Sequence, residues 1–203
     1  HVGDDITRVE KNRAELARAC GVSQWSWLEQ VHGTDVVKAR ADSVQKADAS
    51  CTEKVGLACV VLTADCLPVL LCNREGTKVA AVHAGWRGLC AGVLENTVKT
   101  FARGETLLAY LGPAIGPSAF EVGPEVRAAF MARYSAASRC FTAAKREGHY
   151  YGDLAALARM RLNDCGIEQI YGGGDCTFYS SDYYSYRRQP VTGRFASAIW
   201  LQT

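Results

Sequence analysis

Three apolar, β-branched runs follow one another closely: Val55-Gly56-Leu57-Ala58-Cys59-Val60-Val61-Leu62, then Val69-Leu70-Leu71-Cys72, then Val79-Ala80-Ala81-Val82-His83-Ala84. Each is too short for a core helix and too uniformly apolar for a strand with one wet face. Each therefore reads as a strand buried in a sheet. The first stops at Thr63-Ala64-Asp65-Cys66, and Pro68 marks the start of the next, since proline is poorly tolerated inside a central ladder. Asn73-Arg74-Glu75-Gly76 is a turn, so the second and third runs form a hairpin.

Helical signals lie on both sides of these runs. Asp4 or Asp5 caps a first helix, with Val9, Leu16 and Ala17 on one face, and Gly21 stops it after Cys20. Trp25-Ser26-Trp27-Leu28 alternates as a strand does, and Val36-Val37 continues it or pairs with it. A helix is expected over 88–102, with Leu89, Val93, Thr97, Val98 and Phe101 sharing a face, ended by Gly104. Leu107–Leu111 is a strand closed by Gly112-Pro113. A helix follows near Pro124–Tyr134, and another, capped by Asp153, ends at Gly166. The tail holds Ile167–Tyr171, a turn at Gly172-Gly173-Gly174, an aromatic segment Phe178–Tyr186, and a last apolar strand near Phe195–Leu201. Repeats, linkers and low-complexity tracts are missing, so one mixed α/β domain over 1–203 is the economical reading.

Composition narrows the function classes. Hydrophobic residues make up 48% and charged residues 22% of 203, which is ordinary for a globular chain and excludes disorder as the main state. Lys plus Arg is 23 against 21 acidic residues, a net charge of +2 with no basic stripe, which argues against nucleic acid as a partner. The nine cysteines are odd in number and irregularly spaced, and several sit in apolar runs. They suit a reducing, cytoplasmic compartment. No apolar run reaches the ~18 residues that span a bilayer, so no membrane association is expected. The chain begins at His1 without Met, which suggests that an N-terminal segment is missing.

Chemistry concentrates at strand ends. Val31-His32-Gly33 and Val82-His83-Ala84-Gly85 each place a histidine beside glycine, and Cys66 sits at a strand break. Two imidazoles and a thiolate make a three-ligand zinc set with an open fourth position. The separations of 34 and 17 residues match no short zinc pattern. Two other readings stand beside it: hydrogen-bonded histidines at the core edge with one more buried thiol, and a Cys66–His83 nucleophile–base pair. Gly85-Trp86-Arg87-Gly88 opens a helix and makes either an anion cradle around Arg87 or a simple cap with a solvated arginine. In Tyr183-Tyr184-Ser185-Tyr186-Arg187-Arg188, packing with a basic edge is favoured over base stacking.

Together, Gln30-Val31-His32-Gly33, Thr63-Ala64-Asp65-Cys66-Leu67-Pro68-Val69, Ala81-Val82-His83-Ala84-Gly85-Trp86-Arg87-Gly88 and Leu111-Gly112-Pro113-Ala114-Ile115-Gly116-Pro117 resemble the YfiH-type family. Ser185-Tyr186-Arg187-Arg188, Thr192-Gly193-Arg194 and Ile199-Trp200-Leu201 extend the match. These are the laccase-domain or polyphenol-oxidase proteins, regarded as purine nucleoside phosphorylases. Tyr183-Tyr184 and Gln189 depart from the family pattern. The resemblance implies an α+β fold in one domain, with mixed β-sheets packed together and helices outside. It implies that His32, Cys66 and His83 are metal ligands and catalytic residues, with zinc the metal and copper the alternative. Arg87 is the candidate substrate-binding residue. The implied partners are phosphate and purine nucleosides (adenosine, inosine, guanosine and methylthioadenosine), with adenosine deamination as a second activity. A copper polyphenol oxidase, a Cys–His hydrolase acting on peptidoglycan precursors and a non-enzymatic zinc module are the competing functions. Asp65 is expected to aim away from Cys66, and the general acid for the leaving base is unassigned. The sequence suits a monomer or a homodimer.

Overall fold

The computed structural model describes residues 3–202; His1 and Val2, the start of the first expected segment, lie outside them. The hairpin is present: Leu67–Asn73 pairs antiparallel with Val79–Ala84, Leu67 opposite Ala84 and Cys72 opposite Val79. The Asn73 side chain closes the turn, its Oδ1 accepting from the N–H groups of Thr77 and Lys78, each at 2.9 Å. This hairpin is the centre of a six-stranded mixed sheet. The order is Gln169–Gly172, Leu107–Leu111, Leu67–Asn73, Val79–Ala84, Ala49–Thr52, Val36–Lys38. The inner pairs are antiparallel and the two outermost pairs parallel.

Leu57–Thr63 belongs to a second sheet, between Gln24–Ser26 (parallel) and Phe195–Ile199 (antiparallel). Its side chains alternate, as strand geometry requires. Cys59 and Val61 meet Ala81, Leu28 and Ala47 between the two sheets. Ala58 and Val60 face outward onto Val22 and Trp25, with Leu16 and Ala17 of the helix Ile6–Cys20 beside them. The far face of the large sheet, through Val69, Leu71, Ala80 and Val82, packs on Leu89, Leu94, Leu157 and Leu162 from the helices. The molecule is thus layered helix, small sheet, large sheet, helices. This explains why the founding runs are apolar at consecutive positions: both faces of each strand are covered. Two small sheets complete the fold: Glu121–Val122, Tyr150–Gly152 and Phe141–Ala143, and Leu28–Glu29 with Gln45–Lys46.

Local signals were met at the helix ends. Asp5 Oδ1 accepts from the N–H groups of Thr7 and Arg8, and Gly21 ends that helix at φ 66°. Asp153 caps Leu154–Asp164 through the N–H of Ala156. The helix expected over 88–102 is instead two, Trp86–Ala91 and Val93–Val98, parted by Gly92 at φ 109°, where a side chain would be strained. Val36–Lys38 pairs with Ala49–Thr52 rather than with the Trp25 segment. The aromatic segment forms turns held by Arg188, whose guanidinium donates to the carbonyls of Thr177, Phe178, Ser180 and Tyr183. Among the described residues no helix is long and apolar enough to cross a membrane.

Candidate metal centre

His83 lies on the same face of its strand as Ala81, two residues earlier, and Ala81 faces the small sheet. Past the edge of the sheet–sheet interface that face opens into a cleft, and His83 is where the strand delivers a side chain to it. The residue is 3% exposed, and its Nδ1 lies 2.7 Å from Oδ1 of Asp48. His32 follows the short strand Leu28–Glu29. The loop is anchored by Gln30, whose side-chain amide exchanges two hydrogen bonds with the backbone of Leu62. His32 takes the left-handed conformation, φ 60°, which turns its ring back toward His83. Asp65, at φ 91°, makes the second non-glycine left-handed turn, between Leu57–Thr63 and Leu67–Asn73, and leaves Cys66 facing the histidines. Strain at two such positions marks segments over-determined by their surroundings.

The three side chains converge. One ligand atom from each of His32, Cys66 and His83 lies within 4.8 Å of the others, and Cys66 Sγ is 3.7 Å from His32 Nε2. The imidazole rings meet edge to face, centroids 4.7 Å apart. The donor set fits a metal ion. Tetrahedral zinc, with Zn–N of about 2.0 Å and Zn–S of about 2.3 Å, separates neighbouring ligand atoms by about 3.5 Å. His83 keeps Nε2 on the cluster side while Nδ1 is turned to a carboxylate, the usual second partner of a ligating histidine. His83 is buried, Cys66 half-buried and His32 exposed, so the group is open on one side.

Electrostatics favour the ligand form of the sulfur. Burial alone pushes the Cys66 thiol up, but hydrogen bonding and positive charge from His32 and His83 outweigh it and bring it down to about 6. Burial favours a neutral His83, yet Asp48 and the Cys66 sulfur hold it well above the usual imidazole range. Burial likewise opposes charge on Asp48, and the His83 and backbone hydrogen bonds more than offset that and lower it. Cys59, buried in the sheet interface with only Ser50 and a backbone group for help, is pushed up to about 12. Iodoacetamide at pH 7 on chelator-treated protein is therefore expected to label Cys66 ahead of the buried Cys59, with added zinc protecting it. Peptide mapping by mass spectrometry checks this, and equal labelling of the two thiols would contradict the geometry.

The open side leads into a cleft of about 440 Å³. Arg87 lines it, as do Arg187, Arg194, Trp86, Phe120 and Tyr186. Arg87 is exposed and lies over Trp86, 4.4 Å from the ring centroid. Arg187 is tied to the carbonyls of Ala119 and Glu121, and Arg194 to those of Thr192 and Gly193. Asp65 points away from Cys66, its carboxylate accepting from the Thr177 hydroxyl at 2.7 Å and the Arg187 N–H at 2.6 Å. Sequence reading missed Asp48. Its one local signal was an acidic residue between two alanines, ahead of the small residues Ser50, Cys51 and Thr52.

Known proteins resemble this chain along nearly its whole length. The family model described as multi-copper polyphenol oxidoreductase laccase matches residues 1–202. The chain is 55% identical over 206 residues to the purine nucleoside phosphorylase YfiH of Shigella flexneri, covering 99% of this chain and 84% of that one. It is 52% identical over 204 residues to a purine nucleoside phosphorylase of Pseudomonas aeruginosa, covering 100% and 84%. Among solved structures, a Neisseria meningitidis protein superposes with a TM-score of 0.95 at 45% identity, covering 100% of this chain and 85% of that one. A Bacillus licheniformis hypothetical protein YfiH superposes at 0.92 with 27% identity, covering 100% and 84%. Matched by the model along nearly its whole length and by relatives more than half identical, the chain belongs to the multi-copper polyphenol oxidoreductase laccase family, with the YfiH proteins among its relatives.

Proposed function

We propose that this chain is a zinc-dependent purine nucleoside phosphorylase acting on adenosine, inosine, guanosine and methylthioadenosine, with adenosine deamination as a second activity. The observation that carries the reading is the convergence of His32, Cys66 and His83 at the floor of a cleft walled by arginines and aromatic rings. Relatives more than half identical carry the phosphorylase name. The same three residues are proposed as metal ligands and catalytic groups. Zinc held there would supply Lewis acidity beside the reacting bond.

The chain's own residues supply the rest. Among the described residues the Arg87 guanidinium has no hydrogen-bond partner and only rests over Trp86, so it is free to take two phosphate oxygens. Arg187 and Arg194 spend some of their donors on backbone carbonyls and add fixed positive charge. Trp86, Phe120 and Tyr186 offer flat apolar faces for a purine ring. Asp65 is a poor candidate for the acid that protonates the leaving base, because both its oxygens are already engaged.

Zinc-loaded protein with inosine in phosphate buffer is expected to yield hypoxanthine and ribose 1-phosphate in equal amounts. Activity should disappear with a chelator and return with zinc. Intact inosine, or free ribose in place of its phosphate ester, would sink the proposal. The family's description favours a second reading, a multi-copper oxidase. Among the described residues only one group of three or more such ligands is found, enough for a single ion. Several stoichiometric coppers in the purified protein would reverse this preference.

A further inference from the structure

Asp48 sits between Ala47 and Ala49, with no exposed surface at any of the three. A carboxylate buried so completely is tolerated only where its lone pairs are met. Here they are met by four N–H groups from two places. Oδ1 accepts from His83 Nδ1 at 2.7 Å and from the backbone N–H of His32 at 2.9 Å. Oδ2 accepts from the backbone N–H groups of Val31 at 3.2 Å and Gly33 at 2.6 Å. Its own carbonyl takes the backbone N–H of His83 at 2.7 Å. One side chain thus grips both histidine-bearing segments.

We infer that Asp48 is the positioning residue of this centre, a single buried carboxylate that presets both imidazole ligands at once. On the His83 side it holds the ring proton on Nδ1, which leaves the Nε2 lone pair directed at the cluster. On the His32 side three successive backbone N–H groups converge on it, which keeps His32 in its left-handed conformation and its ring beside His83. Neither constraint is local to the ligands: His83 lies 35 residues along the chain from Asp48, and His32 16. The inference rests on the reading of these histidines as metal ligands and is independent of the reaction catalysed.

The Asp48→Asn variant separates this role from simple support of the fold. With its amide nitrogen toward His83, asparagine offers a donor to Nδ1 and drives the ring proton to Nε2, where it blocks a metal. With the nitrogen toward Val31 and Gly33, donor faces donor and the His32 loop keeps only one of its three bonds to this side chain. Either orientation is expected to weaken Zn²⁺ binding by about 10- to 100-fold. This is measured by competition with a chromophoric chelator, on protein whose metal-free circular dichroism and melting are recorded alongside. Zinc affinity within about threefold of wild type in a folded variant overturns the inference, because a merely structural carboxylate would lower the melting point alone. A second measurement needs no variant. Long-range ¹H–¹⁵N spectra of the zinc-bound wild type should show His83 with its proton on Nδ1, hydrogen-bonded and slow to exchange, and the metal on Nε2. Metal on Nδ1 of His83 would overturn the inference even if Asp48→Asn failed to fold. Inosine turnover is read in neither arm, so the phosphorylase proposal can fail while this one stands.

Discussion

Alanine at Gly85 strips the centre of its metal while the chain keeps its fold. Gly85 has φ −60° and ψ 153°, a conformation open to any residue, so the exchange puts no strain on the backbone. The obstacle is the Cβ. It would stand 2.8 Å from His32 Cδ2, 3.2 Å from Cys66 Sγ and 3.4 Å from His83 Nε2. A methyl group there touches all three proposed ligands at once and occupies the space into which they converge. His83 is locked by Asp48 and Cys66 follows a fixed turn, so the exposed His32 ring is the one that yields. The helix Trp86–Ala91 loses a glycine cap, at a cost of about 1 kcal/mol. The expected result is a zinc affinity lower by about 100-fold or more, near 2.7 kcal/mol. The metal-free melting temperature should move by only about 4 °C. Metal analysis after dialysis and a thermal melt check both halves, with His83→Ala as the floor for metal content. Full zinc occupancy in Gly85→Ala would mean that the ion does not sit among these three side chains.

How far the sequence disclosed this centre follows from the range of the interactions involved. The buried strands were legible because alternation and turn chemistry act between neighbours: Asn73 closes its hairpin through Thr77 and Lys78, four and five residues on. Asp5, Asp153 and Gly21 act over one helical turn and were read for the same reason. Gly92 was equally local, yet the apolar spacing through Leu89, Val93 and Val98 hid the break it makes. His32, Cys66 and His83 could be picked out as polar residues at strand ends, but their meeting could not. It depends on how two sheets stack and on two left-handed turns at residues where glycine is absent. The residues offered that grouping as one of three readings, and the family resemblance singled it out. Asp48 had no comparable signal, since everything that makes it special lies at least 15 residues away.

Removal of the Asp65 side chain should damage the fold and the cleft together, and a graded pair of variants tells the two apart. Asp65 is buried, and its carboxylate receives the Thr177 hydroxyl and the Arg187 N–H from 112 and 122 residues further along. These two bonds fasten the tail that brings Tyr186, Arg187 and Arg194 to the cleft. Asp65→Ala leaves both donors without a partner, each worth roughly 1.5–3 kcal/mol against a charged acceptor. It also puts alanine at φ 91°, where aspartate is better tolerated. A loss of about 4 kcal/mol is expected, on the order of 10 °C in melting temperature. Asp65→Asn keeps the shape: its Oδ1 can accept from Arg187 N–H while its amide donates to the Thr177 oxygen, which as a hydroxyl can do either. That variant should cost only about 1 kcal/mol. If the tail forms the substrate wall, Asp65→Ala protein held below its melting point raises KM for inosine and for phosphate more than it lowers kcat. Asp65→Asn should stay close to wild type. Equal damage from the two variants would mean that the negative charge of Asp65, rather than its tether to the tail, is what the cleft requires.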